Sequence, residues 1–145
     1  GSLILEASIT TASTYDIGVC LFRSNSSGKY LFVNLAGGLV KIQKNVSGAY
    51  TSLASSSAGV VAASTAYKLT VVCSFPSTPG ATQTVTAYID GTQVVTYNLS
   101  GTDLTDLAAT AATDFNQRVV GLWGYSDDLG STFSRFVVAP VGEAA

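Results

Sequence analysis

The 145-residue chain contains no histidine and no methionine. Without imidazole there is no Ser-His or Cys-His nucleophile pair, and the commonest nitrogen ligand for zinc is missing. Charge is scarce too: 11% of residues are Asp, Glu, Lys or Arg, against about 25% in an ordinary soluble domain. The seven Lys and Arg are scattered and the net charge is −2, so no basic patch exists for nucleic acid or for anionic lipid. Ser, Thr and Gly interrupt every apolar run well short of the roughly 18 residues that span a bilayer, which argues against a membrane partner. Paired carboxylates are missing as well. The two glutamates, Glu6 and Glu143, stand alone near opposite ends. The aspartates fall mostly in turns (Asp90, Asp127, Asp128) or in one helix-like stretch (Asp103, Asp106, Asp114), where they suit turn formation and capping. With no acid/base pair, the chain is not expected to be an enzyme.

What is abundant is apolar residues, at 47%. So large a share points to a sandwich buried on several faces, or to surface covered by a homo-oligomer contact or a neighbouring domain. The length suits one domain with a full core. Gly1-Ser2 reads as a cloning scar and 140–145 as the start of a linker or tail, leaving a single domain over 3–139 cut from a longer protein. Cys20 and Cys73 allow one disulfide or two packed thiols, and spacing does not decide between them. Three sequons, at Asn25, Asn45 and Asn98, matter only in a eukaryotic secretory pathway.

Period-two alternation dominates the chain. In LILEASIT the odd positions Leu3, Leu5, Ala7 and Ile9 are apolar, while Glu6, Ser8 and Thr10 point the other way. Further strands are expected over 15–23, 29–35, 39–45, 50–56, 67–75, 82–90, 92–99, 117–125 and 132–139. Asp90-Gly91 between two of them is a strong hairpin signal, because a type I′ turn needs positive φ at both positions. About ten short strands mean an all-β, two-sheet antiparallel jelly-roll sandwich. One stretch departs: Leu104, Leu107, Ala108 and Ala111 have helical spacing, predicting a short helix over 103–112 with Thr102 or Asp103 as N-cap.

The order of these signals resembles the laminin-G-like, concanavalin A-like jelly-roll domains. The matching pieces are GVCLFR (18–23), KYLFVNL (29–35), LVKIQKNVSG (39–48), AYKLTVVC (66–73), VTAYIDGTQV (85–94) and VVGLWGYSDDLGSTFSRFVV (119–138). Members include glycan-binding modules, adhesion domains, glucanases and domains of phage tail proteins. The resemblance therefore implies a non-catalytic glycan-binding or adhesion module of a larger extracellular or virion-associated protein. The alternative is a structural interaction or oligomerisation domain of a phage tail or other virion assembly. The glucanase members' clustered E-x-D-x-x-E strand has no counterpart here.

Many members carry an acid in a last-strand F-D-x-F pattern, where this chain has Phe133-Ser134-Arg135-Phe136. Calcium would then depend on Asp127-Asp128, which reads more simply as a solvated turn, so no cofactor is expected. The family pattern also turns Val120 and Leu122 inward. Trp123 and Tyr125 then face away from the core, with Gly121 clearing space beside them. An aromatic face stacks on the C–H face of a pyranose while amides and carboxylates bind its hydroxyls. Trp123, Tyr125, Gln117, Asp127 and Asp128 are the candidate glycan-binding residues; the competing reading is that Trp123 is covered by the helical insert or by a partner. Tyr30 and Tyr97 are further aromatics that also suit ordinary strand positions. Val72 and Val137 join Trp123 and Tyr125 as apolar side chains expected to face outward.

Overall fold

The computed structural model describes residues 2–23, 28–74, 82–107 and 119–141. In chain order these form β1 (Ser2–Thr10), β2 (Asp16–Arg23), β3 (Lys29–Ala36), β4 (Leu39–Val46), β5 (Ala49–Ser55) and β6 (Ala66–Ser74). There follow β7 (Gln83–Ile89), β8 (Thr92–Leu99), α1 (Gly101–Asp106), β9 (Val119–Gly124) and β10 (Thr132–Val141). One five-stranded sheet has the order β10-β1-β6-β7-β8 and the other β5-β4-β3-β2-β9. Every pairing within them is antiparallel. The result is a jelly-roll β-sandwich of the concanavalin A-like fold.

Alternation builds the core. Leu5, Ala7 and Ile9 of β1 and Leu69, Val71 and Cys73 of β6 face Val19 and Leu21 of β2, Leu31, Val33 and Leu35 of β3, and Val40 and Ile42 of β4. Burying each large aliphatic side chain contributes about 1.5–3 kcal/mol. The β7–β8 hairpin turns as its sequence demands, with Asp90 at φ 49° and Gly91 at φ 85°. Cys20 and Cys73 are both buried on different sheets and are not bridged. Of the sequons, Asn45 is buried and hydrogen-bonded, Asn98 is exposed on β8, and Asn25 lies outside the described residues.

Three expectations need correction. First, α1 starts earlier than 103, and its N-cap is Ser100 rather than Thr102 or Asp103. Ser100 Oγ accepts from the Asp103 N–H at 3.1 Å while Asp103 accepts from the Ser100 N–H at 2.9 Å. This reciprocal capping box places the aspartate at N3, inside the helix. Residues 108–112 of the expected helix lie outside the described residues. Second, Leu122 is not core: it is 48% exposed, because β9 pairs only with β2 among the described residues and leaves its flank open. Third, β10 continues two residues past 139, carrying Pro140 on a strand that among the described residues pairs only with β1. An edge strand tolerates the missing N–H.

Candidate functional site

The site lies on the outer face of the β5-β4-β3-β2-β9 sheet. On β3, Leu31, Val33 and Leu35 point into the sandwich, so Phe32 and Asn34 point out of it. Yet both are only 1% exposed. What covers them comes from the two edges of their own sheet: Tyr50 from β5, and Trp123 with Tyr125 from the end of β9. At about 4.8 Å per strand, those edges are roughly 19 Å apart along the sheet. Even so, the Tyr50 and Tyr125 rings meet edge-on with centroids 6.2 Å apart. Both side chains lean inward over the sheet.

A glycine lies beneath this lean. Gly18 of β2 pairs with Trp123 on one side and Asn34 on the other. A Cβ there would sit 1.8 Å from the Val33 carbonyl oxygen, so no other residue fits. Across this bare strip Trp123 stacks on Phe32, with centroids 4.5 Å apart and planes 23° off parallel. The indole N–H donates to the Tyr30 hydroxyl at 3.4 Å, and Asn45 Nδ2 donates to the same oxygen at 3.1 Å. Tyr50 closes the group edge-on to Phe32 at 5.7 Å, and Tyr125 lies 6.3 Å from Trp123 with planes 20° apart. Its hydrogen bond with Tyr30, with burial added, pushes the Tyr50 hydroxyl above its ordinary range.

Beside the rings lies a polar floor. Gln43 Nε2 donates to Asn34 Oδ1 at 2.8 Å, and Asn34 Nδ2 donates to Asp16 Oδ1 at 2.7 Å. This chain satisfies the buried Asn34 amide at both ends. Burial raises the Asp16 carboxyl above the ordinary value; the Asn34 hydrogen bond opposes this, Asp127 adds to it, and Lys41 opposes it in turn. The ammonium of Lys41, cross-strand partner of Asn34, makes no hydrogen bond or ion pair among the described residues. Rings and floor together line an open cleft of about 200 Å³.

The structure brings two of the five candidate residues into this cleft, Trp123 and Tyr125. Trp123 is not a bare platform, since Phe32 covers one of its faces; the open aromatic surface belongs to Tyr125 and Tyr50, each nearly half exposed. Gln117 lies outside the described residues. Asp127 and Asp128 do not line the cleft. Asp128 instead ties the loop down, accepting from the backbone N–H groups of Asp16, Gly130 and Ser131 at 3.0, 3.0 and 2.7 Å. Burial would raise its carboxyl, but these bonds outweigh burial and hold it below the ordinary value. Asp128 is thus engaged by the backbone of its own loop and of β2, and no cluster of three or more His, Cys, Asp or Glu side chains occurs among the described residues. Tyr30 joins the ring cluster as its hydrogen-bonded support, whereas Tyr97 sits on the opposite sheet against Asp103.

Sequence reasoning missed Asp16, Asn34, Lys41, Gln43 and Tyr50. A signal for two of them was present: with Val40 and Ile42 inward, Lys41 and Gln43 must face out.

No family model matches the chain, and no curated protein matches it in sequence. Solved structures do match in shape. The carbohydrate-binding module CBM66 from Bacillus subtilis superposes with a TM-score of 0.67 at 15% identity, over 96% of this chain and 75% of that one. Galectin LEC-6 of Caenorhabditis elegans gives 0.60 at 13% identity, over 97% and 84%. CG-16, a homodimeric agglutinin from chicken liver, gives 0.53 at 9% identity, over 96% and 91%. At such low identity these superpositions establish a shared fold and nothing more.

Proposed function

We propose that this domain is a non-catalytic glycan-binding module, working in an extracellular or virion-associated protein, and that its cleft is the binding site. One observation carries the reading: half-exposed aromatic rings stand beside a row of amide, carboxylate and ammonium groups on an open sheet face. Rings offer the C–H face of a sugar a partner that water does not, and the polar row exchanges hydrogen bonds with its hydroxyls. The similarity to a carbohydrate-binding module and to galectins supports the same reading. A glycan array tests it, with wild-type protein and Tyr125→Ala side by side and calcium either supplied or chelated. The expected result is binding that Tyr125→Ala reduces at least tenfold and that chelation leaves intact. A blank array with folded protein would sink it.

A second reading, an oligomerisation domain of a virion assembly such as a phage tail, draws on different residues. Leu122 of β9 and Val138 of β10 face the sandwich interior from two edge strands, yet remain 48% and 40% exposed. A sizing column decides: a monomer at micromolar concentration leaves those edges without a homotypic partner.

A further inference from the structure

We infer that the cleft takes a single uncharged sugar residue and holds it by two neighbouring hydroxyls, one donating to the Asp16 carboxylate and the other accepting from the Lys41 ammonium. This rests on the glycan reading above and narrows it to a ligand class.

The direction of the hydrogen-bond chain comes first. Gln43 donates to Asn34, and Asn34 donates to Asp16 Oδ1. Among the described residues Asp16 Oδ2 has no donor, so the chain ends in an anionic oxygen that only accepts. A hydroxyl that meets it must donate. Donation to a carboxylate makes that hydroxyl's own oxygen, and the hydroxyl beside it, better acceptors. Lys41 supplies the matching donor: it is the cross-strand partner of Asn34 on β4, while Asp16, two residues along β2 from Asn34's partner Gly18, reaches Asn34 by its side chain. The Lys41 ammonium has no partner among the described residues. Carboxylate and ammonium thus bracket a rigid, buried amide.

Charge and size narrow the ligand further. Lys41 alone would invite an acidic sugar. Asp16 shares the cleft, however, and Asp127 and Asp128 lie close enough to bear on its ionisation. An anionic ring would meet more negative charge than positive, and an ammonium in place of the hydroxyl that faces Lys41 has no lone pair to accept its hydrogen bond. The cleft holds about 200 Å³, below the roughly 300–1,000 Å³ of pockets that enclose drug-sized ligands. That is room for one ring against the Tyr125 and Tyr50 faces.

The test is an NMR titration of the 145-residue protein. The probes are methyl glycosides of the common hexoses, the corresponding uronic acids and 2-amino sugars, and linear oligosaccharides of the best hexose. Asp16→Asn, Lys41→Met and Tyr125→Ala are titrated in parallel, each checked for native chemical shifts. A hexoside should bind, with its uronic acid and amino counterparts at least tenfold weaker. Asp16→Asn and Lys41→Met should each weaken binding about tenfold or more, since each removes a charged hydrogen-bond partner. Together they should cost much less than the product of the two, because both hold the same pair of hydroxyls. A uronic acid or amino sugar that binds as well as the hexoside overturns the inference, as does unchanged binding by folded Lys41→Met. Oligosaccharides that bind more than a hundredfold tighter than the single residue overturn the one-ring limit. In each of these cases a loss of binding in Tyr125→Ala keeps the glycan reading standing. If no sugar shifts any resonance of the wild-type protein, the glycan reading fails and takes this inference with it.

Discussion

Lys41 and Lys44 stand three residues apart on β4 and face opposite ways. Lys44 points inward, where its side chain is 9% exposed and its ammonium sits 2.8 Å from both Asp103 and Asp106 of α1. Tyr97 adds a 2.7 Å hydrogen bond to Asp103, so β4, β8 and α1 are joined across the sandwich. Lys41 points outward to the cleft and has no partner among the described residues. The two carboxylates tell the same story in reverse. Burial would raise Asp103, but hydrogen bonds from Lys44, Tyr97 and Ser100 outweigh it and hold the carboxyl at about 2. Burial does raise Asp16, because its single amide donor and the more distant Lys41 do not compensate. Inside the sandwich Lys44 and Asp103 are answered by each other and by Asp106, Tyr97 and Ser100, whereas the same chemistry on the outer face is left with capacity for a ligand.

Removing the two lysines should break this symmetry most visibly. Lys44→Ala leaves a buried carboxylate without its cation, a change that costs about 3–5 kcal/mol in comparable sites. In urea unfolding we expect a loss near the lower figure, since Asp106 is partly solvated. Lys41→Ala should stay within about 0.5 kcal/mol of wild type. Equal losses would mean that Lys41 also holds the fold together, and the contrast would collapse.

Gly18→Ala should come next. Its Cβ would overlap the Val33 carbonyl oxygen, so β2 and β3 must separate, at a cost of about 1–3 kcal/mol or more. Because Trp123 crosses that strip to reach Phe32, its fluorescence should change as well. A destabilised protein with unaltered emission would show that the stack does not depend on the bare strip.

Acid should separate the two carboxylates. Asp103 is held below its unfolded value of 3.8, so its contribution is present above that pH and is lost as pH falls through about 2. Of order 1–2 kcal/mol should disappear over that window in wild type and not in Asp103→Asn. Asp16 is raised, so it takes up its proton at a higher pH than an ordinary carboxylate. Sugar binding should therefore weaken on acidification before stability does. Binding that persists until the protein unfolds would remove Asp16 from the site.

The strands and their faces were legible because one face of each is apolar; period two does the rest at β1, β6 and β7. The turn at Asp90-Gly91 was legible from two residues. Trp123 and Tyr125 could be aimed outward only through the family pattern that turns Val120 and Leu122 inward, since both faces of that strand are apolar. Leu122 was misread because alternation reports which way a side chain points, and an edge strand can point inward without being covered. The polar half of the cleft was hidden for a different reason. Asp16, Asn34 and Gln43 come from three strands, and only the register of β2 on β3 and of β3 on β4 brings them together. Tyr50 was further still, since it meets Tyr125 only because both side chains lean inward from opposite edges of the sheet. Local pattern fixes a face; which residues meet on it depends on pairings between distant segments.

The smallest expected effect bears most directly on the contrast between the two regions. If the rings serve a ligand, Tyr50 and Tyr125 should be weakly held, each exposing about half of its surface. If they brace the sheet, they belong with Lys44 as structure. A double-mutant cycle of Tyr50→Ala and Tyr125→Ala measures their coupling directly. Edge-to-face pairs contribute about 0.5–1.5 kcal/mol beyond area burial, and partial exposure places this pair at the lower end. We expect a coupling near 0.5 kcal/mol in unfolding. Adding a binding sugar should enlarge the apparent coupling, because a ligand gripped by both rings stabilises only the protein that has both. A coupling above about 1.5 kcal/mol without sugar, unchanged by its addition, would make the rings a brace across the sheet and move the binding role elsewhere.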